Sequence, residues 1–297
     1  MEPGTPPRSD RRIVASPTRM PCKRVRPLPD ASDAEDPVLA LVVPASPFEK
    51  LENYHLLEAG QGWMSWNVDL SGEECTLEKY QWCGDADYRR KIDIIRNSKN
   101  PYILRCHGYR EDAEGIAVIF ERFGNSLEGR HVDVEPMLTT IAGQALEGLF
   151  FLHDHKVSHG NIRPATIFVG KNVKTKIGDF TSRVRPPLVD SKSSAYLSPE
   201  VIGGDADKNF DVLAAGDIWS LGLSVLELFL GYYPYGKDLP IVLDYSSLKD
   251  IICSMDPPQA PAQASMQFTD FLALTLQKDP KKRSTAAKLL HHSFITG

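Results

Sequence analysis

The feature that most constrains the fold is residues 157–181, VSHGNIRPATIFVGKNVKTKIGDFT. Its two short apolar segments, IFV and TKI, flank a glycine-containing turn and predict a small β-hairpin. A polar loop with His159 and Asn161 precedes this hairpin, and Asp179 follows it. Upstream, residues 136–155 carry apolar side chains at helical spacing and predict an amphipathic helix. A helix, a polar loop, a hairpin and an acidic turn are therefore predicted in this order, with the polar side chains gathered in the loop and the turn.

The composition favours an intracellular globular protein. The chain has 297 residues, which suits one two-lobed domain plus a tail, or two small domains. Its net charge of −5 gives no global reason to expect nucleic acid or a membrane as a partner. The five cysteines form no CxxC pair, which favours reduced thiols and argues against a disulfide framework or a zinc site. No signal-peptide core or uninterrupted apolar run of ~18 residues is present. We expect a monomer in the cytoplasm or nucleus.

Residues 1–45 are rich in Pro, Ser, Asp and Arg. Such a segment buries too little apolar area to offset its ordering entropy, so it is predicted to be disordered. A basic cluster at residues 23–26 precedes an apolar run at residues 38–43, a pattern that can dock into an acidic groove of a partner. Because the two features lie far apart, a solvated tail that maintains solubility is the preferred interpretation.

The folded domain is predicted over residues 46–297, and its first half reads as strands around one helix. Gly60 and Gly62 lie in the segment GQGWMS, where two glycines would let the backbone approach phosphates. A glycine-containing hairpin turn explains the same segment equally well. The predicted elements are strands at 54–57, 72–79, 100–106 and 115–121, a helix at 87–95, and a hinge at 122–128.

The second half is predicted to be mainly helical. Residues 215–222, AGDIWSLG, open a long buried helix that continues through Leu230. Residues 196–200, YLSPE, resemble the A-P-E end of a kinase activation segment. Helical segments follow to residues 279–283, DPKKR, and to the ending LLHHSF at residues 289–294.

With these motifs in this order, the chain resembles the eukaryotic protein kinases over about residues 48–297. Its C-terminal half is most similar to the plant mitogen-activated protein (MAP) kinase kinases, and within them to the divergent group-D class. The segments that carry this likeness are residues 126–129, 215–222, 256–261, 279–283 and 289–294.

The resemblance implies an α+β, two-lobed protein-kinase fold. A small β-rich N-lobe would cover about residues 46–123, and a larger helical C-lobe about residues 124–297. It also implies two scaffold contacts. Glu200 should pair with Arg283, and Asp217 should hydrogen-bond the backbone of the catalytic loop.

The catalytic motifs depart from the family pattern. Kinases carry H-R-D-L-K-P-x-N and D-F-G where this chain has HGNIRPAT and DFT. The residue that accepts the substrate hydroxyl's proton is Asp in active kinases and Asn161 here, and an amide cannot accept that proton at neutral pH. Arg163 replaces the Lys that contacts the γ-phosphate, and Thr166 replaces the Asn that holds a second Mg²⁺. Asp179 keeps its type and is the predicted metal ligand, whereas Thr181 replaces a flexible glycine.

The N-lobe chemistry is also altered. Alignment of the third strand puts Glu78 at the position of the phosphate-binding lysine, and Lys91 at that of its helix glutamate. A reversed Glu78–Lys91 pair would keep the tether between strand and helix while removing the cation. The alternative, that both are ordinary surface charges, stays open. Phe120 takes the apparent gatekeeper position and would narrow the adenine pocket. ATP and Mg²⁺ are the implied cofactors, with weak or absent binding.

The usual activation signals are missing. Plant members carry two Ser/Thr residues separated by five residues in the activation segment, and no hydroxyl residues between Asp179 and Ser198 fit that spacing. Gly160 replaces the Arg that would hold a phosphorylated segment. The loss of the hydroxyl pair and the loss of this Arg are consistent with each other, because a phosphorylated residue and the cation that binds it act only together. The hydroxyl residues concerned are Thr181, Ser182, Ser191, Ser193 and Ser194.

Three functions are compatible with these departures. The preferred one is a catalytically impaired, MAP kinase kinase-like protein that binds MAP kinases or upstream MAP kinase kinase kinases. The alternative is a slow but active dual-specificity MAP kinase kinase, because positioning supplies much of phosphoryl-transfer catalysis. The third is a nucleotide-sensing switch without transfer, which requires ATP affinity despite Glu78.

Overall fold

The computed structural model describes residues 46–60, 63–80, 86–113, 115–180, 191–204, 209–236 and 244–297. A β-sheet forms the N-terminal part of this region, and helices dominate the remainder. The predicted disordered tail, Gly62, Thr181 and Ser182 lie outside the described residues.

Five antiparallel strands form the N-terminal sheet in the order β1-β2-β3-β5-β4. The helix α1 (Ala86–Arg96) contacts β4, and its Ile92 and Ile95 are buried as their spacing predicts. The sheet and helix together form the predicted β-rich lobe. The strands are β1 (Leu51–Gly60), β2 (Trp63–Leu70), β3 (Glu73–Tyr80), β4 (Cys106–Asp112) and β5 (Gly115–Glu121).

The register of β3 against β5 decides which charged residue faces the main core. Along β5, Ala117 packs into a small cluster on one face of the sheet, whereas Val118 and Phe120 pack into the main core on the other. Glu78 is paired with Val118, and Lys79 with Ala117. Because directly paired residues share a face, Glu78 points to the side of Phe120 and Lys79 to the opposite side.

The C-terminal part begins with the helix α2 (Glu135–Asp154), which is buried at its regularly spaced apolar positions. The predicted hairpin after it is confirmed as β7 paired with β8, and β6 completes a small sheet. The remaining elements are β6 (Asn125–Ser126), β7 (Ile167–Val169), β8 (Thr175–Ile177), α3 (Ser191–Ser194), α4 (Pro199–Gly203), α5 (Phe210–Leu230), α6 (Tyr245–Ser254), α7 (Met266–Thr275), α8 (Ala286–Leu289) and α9 (Ser293–Thr296).

The helix α5 forms the centre of the C-terminal part. Asn209 caps its start by accepting a hydrogen bond from the Asp211 amide, and Gly231 ends it in a left-handed conformation. By length and composition α5 could cross a membrane, but 72% of its most apolar window is buried inside the protein. Its apolar composition therefore matches its position between α2 and α7.

The strand predicted at residues 100–106 is wrong for all but its last residue, because β4 begins at Cys106. Asn100 accepts a hydrogen bond from the Tyr102 amide and starts a turn there. The Leu104 amide then donates to the Ile177 carbonyl of β8. Ile103 forms an isolated parallel bridge with Ile177, so the apolar residues of this segment are buried through contact with β8 and not because they alternate along a strand of the N-terminal sheet.

Candidate functional site

Asp217 on α5 organises the loop after α2. Its Oδ2 accepts hydrogen bonds from the His159 amide at 2.7 Å and from His153 Nε2 at 2.8 Å. Its Oδ1 accepts one from the Gly160 amide at 2.7 Å. Burial by itself raises the pKa of Asp217, but the hydrogen bond and charge of His153, the charge of His159 and the Gly160 amide together lower it. The predicted scaffold contact of Asp217 is confirmed.

Gly160 contributes through its backbone. Its φ of 79° lies in the left-handed region, which side-chain-bearing residues rarely adopt. This conformation accompanies the bond from the Gly160 amide to Asp217.

His159 is fully buried, and its ring packs on Phe180 with centroids 4.8 Å apart. Its Nδ1 accepts a hydrogen bond from the Asn161 amide at 3.2 Å. Burial lowers the pKa of His159 to about 4, against a partly opposing charge on Asp217. The imidazole is therefore neutral at physiological pH and serves as a packing and hydrogen-bonding group.

The buried His159 predicts an acid-sensitive fold. Its pKa is about 6.5 in the unfolded chain and about 4 in the folded one. The unfolded state therefore binds more protons between these values, and the free energy of unfolding should decrease as pH falls from 6.5 to 4, by about 3 kcal/mol. Denaturant titrations across this range measure the slope. His159→Asn keeps an acceptor near Nδ1 without a titrating ring, so it should show a shallower slope. Equal slopes would contradict the prediction.

Asn161, at the predicted base position, is buried and donates a hydrogen bond. Its Nδ2 lies 3.2 Å from the Asp179 backbone carbonyl oxygen. Asp179 has a φ of 51°, a left-handed conformation that is uncommon outside glycine. The side-chain amide of Asn161 thus donates a hydrogen bond to the backbone of the acidic turn.

Arg163 and Thr166 complete the loop. Arg163 Nη2 lies 3.9 Å from Asp179 Oδ2, and both side chains are largely buried. Thr166 is 0% exposed. Its hydroxyl donates to the Asn161 carbonyl at 2.7 Å and accepts from the Arg163 amide at 3.1 Å. The loop therefore uses the Thr166 hydroxyl internally, and in this position it does not face a ligand.

Lys91 reaches from α1 into the centre of the site. The side chain is buried, with 8% of the residue exposed. Its Nζ donates to the His159 carbonyl at 2.9 Å and to the Phe180 carbonyl at 3.2 Å. A cation on α1 thus connects the N-lobe to the catalytic loop and to the acidic turn.

Glu78 faces the same region from β3. Its Oε2 accepts a hydrogen bond from Tyr80 Oη at 2.7 Å. Burial raises the pKa of Tyr88, and the negative charges of Glu78 and Asp179 raise it further. Both carboxylates therefore lie within electrostatic range of Tyr88, at the junction of β3, α1 and the acidic turn. The Glu78–Lys91 pair stays a prediction.

Two further predicted site residues have defined positions. Phe120 is buried at the end of β5, and its ring lies 5.8 Å from that of Phe180. Gly60 ends β1 and is paired with Trp63 at the start of β2. Gly60 therefore belongs to a β-hairpin, an arrangement that both interpretations of this segment require.

The end of the activation segment is fixed to the C-lobe. Arg283 Nη1 and Nη2 bind the two carboxylate oxygens of Glu200 at 2.7 and 3.0 Å, which confirms that predicted pair. Tyr196 Oη donates to Glu227 Oε2 at 2.7 Å. Burial raises the pKa of Glu227, although the bond from Tyr196 partly opposes this.

Comparison with known proteins places these contacts in a family. A profile of the protein kinase domain matches residues 74–295. The chain belongs to the protein kinase family. It is similar to three mitogen-activated protein kinase kinases of Arabidopsis thaliana. MAP kinase kinase 7 is 33% identical over 87% of this chain and 88% of the relative. MAP kinase kinase 9 is 33% identical over 82% of this chain and 84% of the relative. MAP kinase kinase 8 is 31% identical over 82% of each chain. The predicted α+β, two-lobed kinase fold is confirmed.

Protein kinases in general use ATP and Mg²⁺, and this kinase-family chain fits these ligands only in part. Asp179 offers a carboxylate that suits Mg²⁺, and Arg163 offers a cation beside it. Thr166, at the second metal position, turns its hydroxyl into the loop. Glu78, which the resemblance aligns with the phosphate-binding lysine, points to the core side of β3, and its negative charge would repel phosphates. Among the described residues, Asp179 and Arg163 therefore suit Mg²⁺ and a phosphate, whereas the side chains of Thr166 and Glu78 do not.

Sequence reasoning did not find the contacts of Lys91 or the bond between Tyr196 and Glu227. Lys91 contacts carbonyls 68 and 89 residues away, and backbone carbonyls carry no sequence signal. The alignment of Lys91 with the helix glutamate indicated a partner on the third strand, and not these carbonyls. Tyr196 and Glu227 are 31 residues apart, and no spacing rule connects them.

Proposed function

We propose that this chain is a MAP kinase kinase-like protein that binds members of a MAP kinase cascade and transfers phosphoryl groups weakly or not at all. The observation that carries the proposal is the hydrogen bond from Asn161 Nδ2 to the Asp179 carbonyl. A hydrogen-bond donor occupies the position where a proton acceptor is needed, and general-base assistance is worth ~10²–10⁴ in rate.

Two further observations support weak transfer. The Thr166 hydroxyl is committed to the loop backbone, and Glu78 faces the core side of the sheet beside Phe120. Each change removes one electrostatic contribution to phosphoryl transfer, in which positioning and charge stabilisation supply most of the catalysis. The proposed partners are MAP kinases and MAP kinase kinase kinases. This choice rests on the similarity to MAP kinase kinases over most of the chain.

A slow dual-specificity MAP kinase kinase is the second candidate. The placement of Arg163 beside the Asp179 carboxylate supports it, because these two groups would hold one metal ion and one phosphate. The two candidates differ in one measurable property, which is phosphoryl transfer that depends on Asp179.

The test is label transfer from ATP to a panel of MAP kinases by the full chain. We expect the rate to equal that of the isosteric Asp179→Asn variant, while both bind the same MAP kinase with equal affinity. Arabidopsis MAP kinase kinase 9, assayed in parallel, shows that substrates and conditions are competent. Transfer by the wild type clearly above Asp179→Asn would contradict impairment and favour the slow enzyme.

A thermal titration with ATP separates binding from transfer. We expect no Mg²⁺-dependent rise in melting temperature, because the strand cation and the second metal ligand are replaced. A rise that disappears in Asp179→Asn, without label transfer, would instead favour a nucleotide-sensing switch.

A further inference from the structure

Two side chains donate hydrogen bonds to consecutive carbonyls of the acidic turn. Asn161 Nδ2 bonds the Asp179 carbonyl at 3.2 Å, and Lys91 Nζ bonds the Phe180 carbonyl at 3.2 Å. Lys91 Nζ also bonds the His159 carbonyl at 2.9 Å. These bonds join three elements that are distant in sequence, namely α1, the loop at residues 159–161 and the turn at residues 179–180.

The residue types at these two positions are what make the bonds possible. Amides and ammonium groups donate hydrogen bonds, whereas an ionised carboxylate only accepts them. An Asp at position 161 or a Glu at position 91 would face carbonyl oxygens with another acceptor, and neither bond would form. Replacing a carboxylate by a hydrogen-bond donor at both positions therefore removes two acidic groups and adds hydrogen bonds to the backbone.

The turn that receives these bonds is strained. Asp179 adopts a φ of 51°, a left-handed conformation that residues other than glycine seldom adopt. Such residues persist where the surroundings over-determine them. The Gly178 amide bonds the Thr166 carbonyl at 3.0 Å on one side of Asp179. On the other side, the buried Phe180 ring packs between Phe120 and His159.

Burial increases the contribution of the Lys91 bonds. A charge-assisted hydrogen bond is roughly twice as strong as a neutral one, and low local dielectric strengthens it further. Both acceptors of Lys91 are backbone carbonyls, so these bonds persist whichever residue occupies the acceptor positions.

We propose that Lys91 and Asn161 form a clamp that keeps α1 docked on the acidic turn in the absence of nucleotide and metal. The clamp consists of these two donors and the backbone carbonyls of residues 159, 179 and 180. All donors and acceptors of the clamp belong to the chain itself. Lys91 and Asn161 are thus positioning residues, and the surface built on α1 and the turn is constitutively assembled. This holds whether or not some phosphoryl transfer remains.

Hydrogen–deuterium exchange of the full chain tests the clamp. The isosteric Asn161→Asp variant removes one donor, and Lys91→Met removes the other while keeping an unbranched apolar stem. Relative to exchange within α5, both variants should exchange at least roughly 10-fold faster over residues 159–162 and 178–180, because Asn161→Asp loses one buried hydrogen bond and Lys91→Met loses two charged ones. Lys91→Met should in addition accelerate α1. Lys99→Met, an exposed lysine just beyond α1, should match the wild type.

The outcomes separate a clamp from a general structural role. Exchange that rises equally in α5 shows global destabilisation and contradicts the clamp, as does acceleration confined to α1. If Lys91→Met does not fold, Asn161→Asp decides alone. Adding Mg–ATP should change wild-type exchange at residues 178–180 less than twofold. Strong protection by Mg–ATP would overturn the claim that the assembly is independent of nucleotide.

Discussion

Replacing Asp217 by asparagine is expected to destabilise the fold by about 2–5 kcal/mol, because bonds from buried donors to a charged acceptor contribute about 1.5–3 kcal/mol each. The carboxylate accepts three hydrogen bonds, from the His159 and Gly160 amides and from His153. Asparagine keeps one acceptor oxygen and turns an NH₂ group toward at least one of these donors. The measurement is the free energy of unfolding by denaturant titration.

Asp244→Asn is the matched control for this change. Asp244 caps α6 at the surface by accepting a hydrogen bond from the Ser247 amide. Asparagine caps helices about as well as aspartate, so this variant should unfold at the same denaturant concentration as the wild type. If the two variants lose equal stability, Asp217 does not organise the catalytic loop as the structure indicates.

Arg283→Met is expected to cost about 3–5 kcal/mol, because it leaves the Glu200 carboxylate buried without its counter-charge. The Arg283 side chain is 0% exposed and that of Glu200 is 9% exposed. Arg283 also donates to the Ala215 carbonyl at 2.7 Å and to the Gln277 carbonyl at 2.9 Å. The free energy of unfolding again measures the loss.

Two comparisons identify burial as the cause. Arg89→Met breaks an ion pair of equal length, 2.7 Å to Glu111, between half-exposed side chains. It should cost less than about 1 kcal/mol. In the double variant Glu200→Leu/Arg283→Met, no charge is left buried, so its cost should be smaller than the sum of the single variants. Additive costs would show that the pair does not act as a unit.

Local patterns predicted most elements of this kinase fold. The spacing of Ile92 and Ile95 located α1, and the apolar segments around the 170–174 turn located the β7–β8 hairpin. These predictions succeeded because side-chain burial follows the helical or strand period directly. The prediction at residues 100–106 failed, since a segment that pairs with β8 through a single parallel bridge is buried without being a strand of the N-terminal sheet. Contacts with a distant element decide such cases.

Some contacts of the candidate site could likewise be predicted from the sequence, and others could not. The contacts of Asp217 and of Glu200 with Arg283 followed from motif order, because a resemblance carries over whole constellations of residues. The acceptors of Lys91 did not follow, since any residue supplies a carbonyl. The face of Glu78 depended on the pairing of β3 with β5, and a shift of one residue would exchange it with Lys79.

The sequence by itself determined the family, most of the helices and strands, and the presence of an amide in place of a carboxylate at Asn161. Residue type alone decides whether a side chain can take up a proton. Only the tertiary structure decided that the Asn161 amide and the Lys91 ammonium converge on the turn at residues 179–180. Convergence depends on how α1, the catalytic loop and the turn pack in space. Packing of segments far apart in the chain is not encoded in any local pattern of residues.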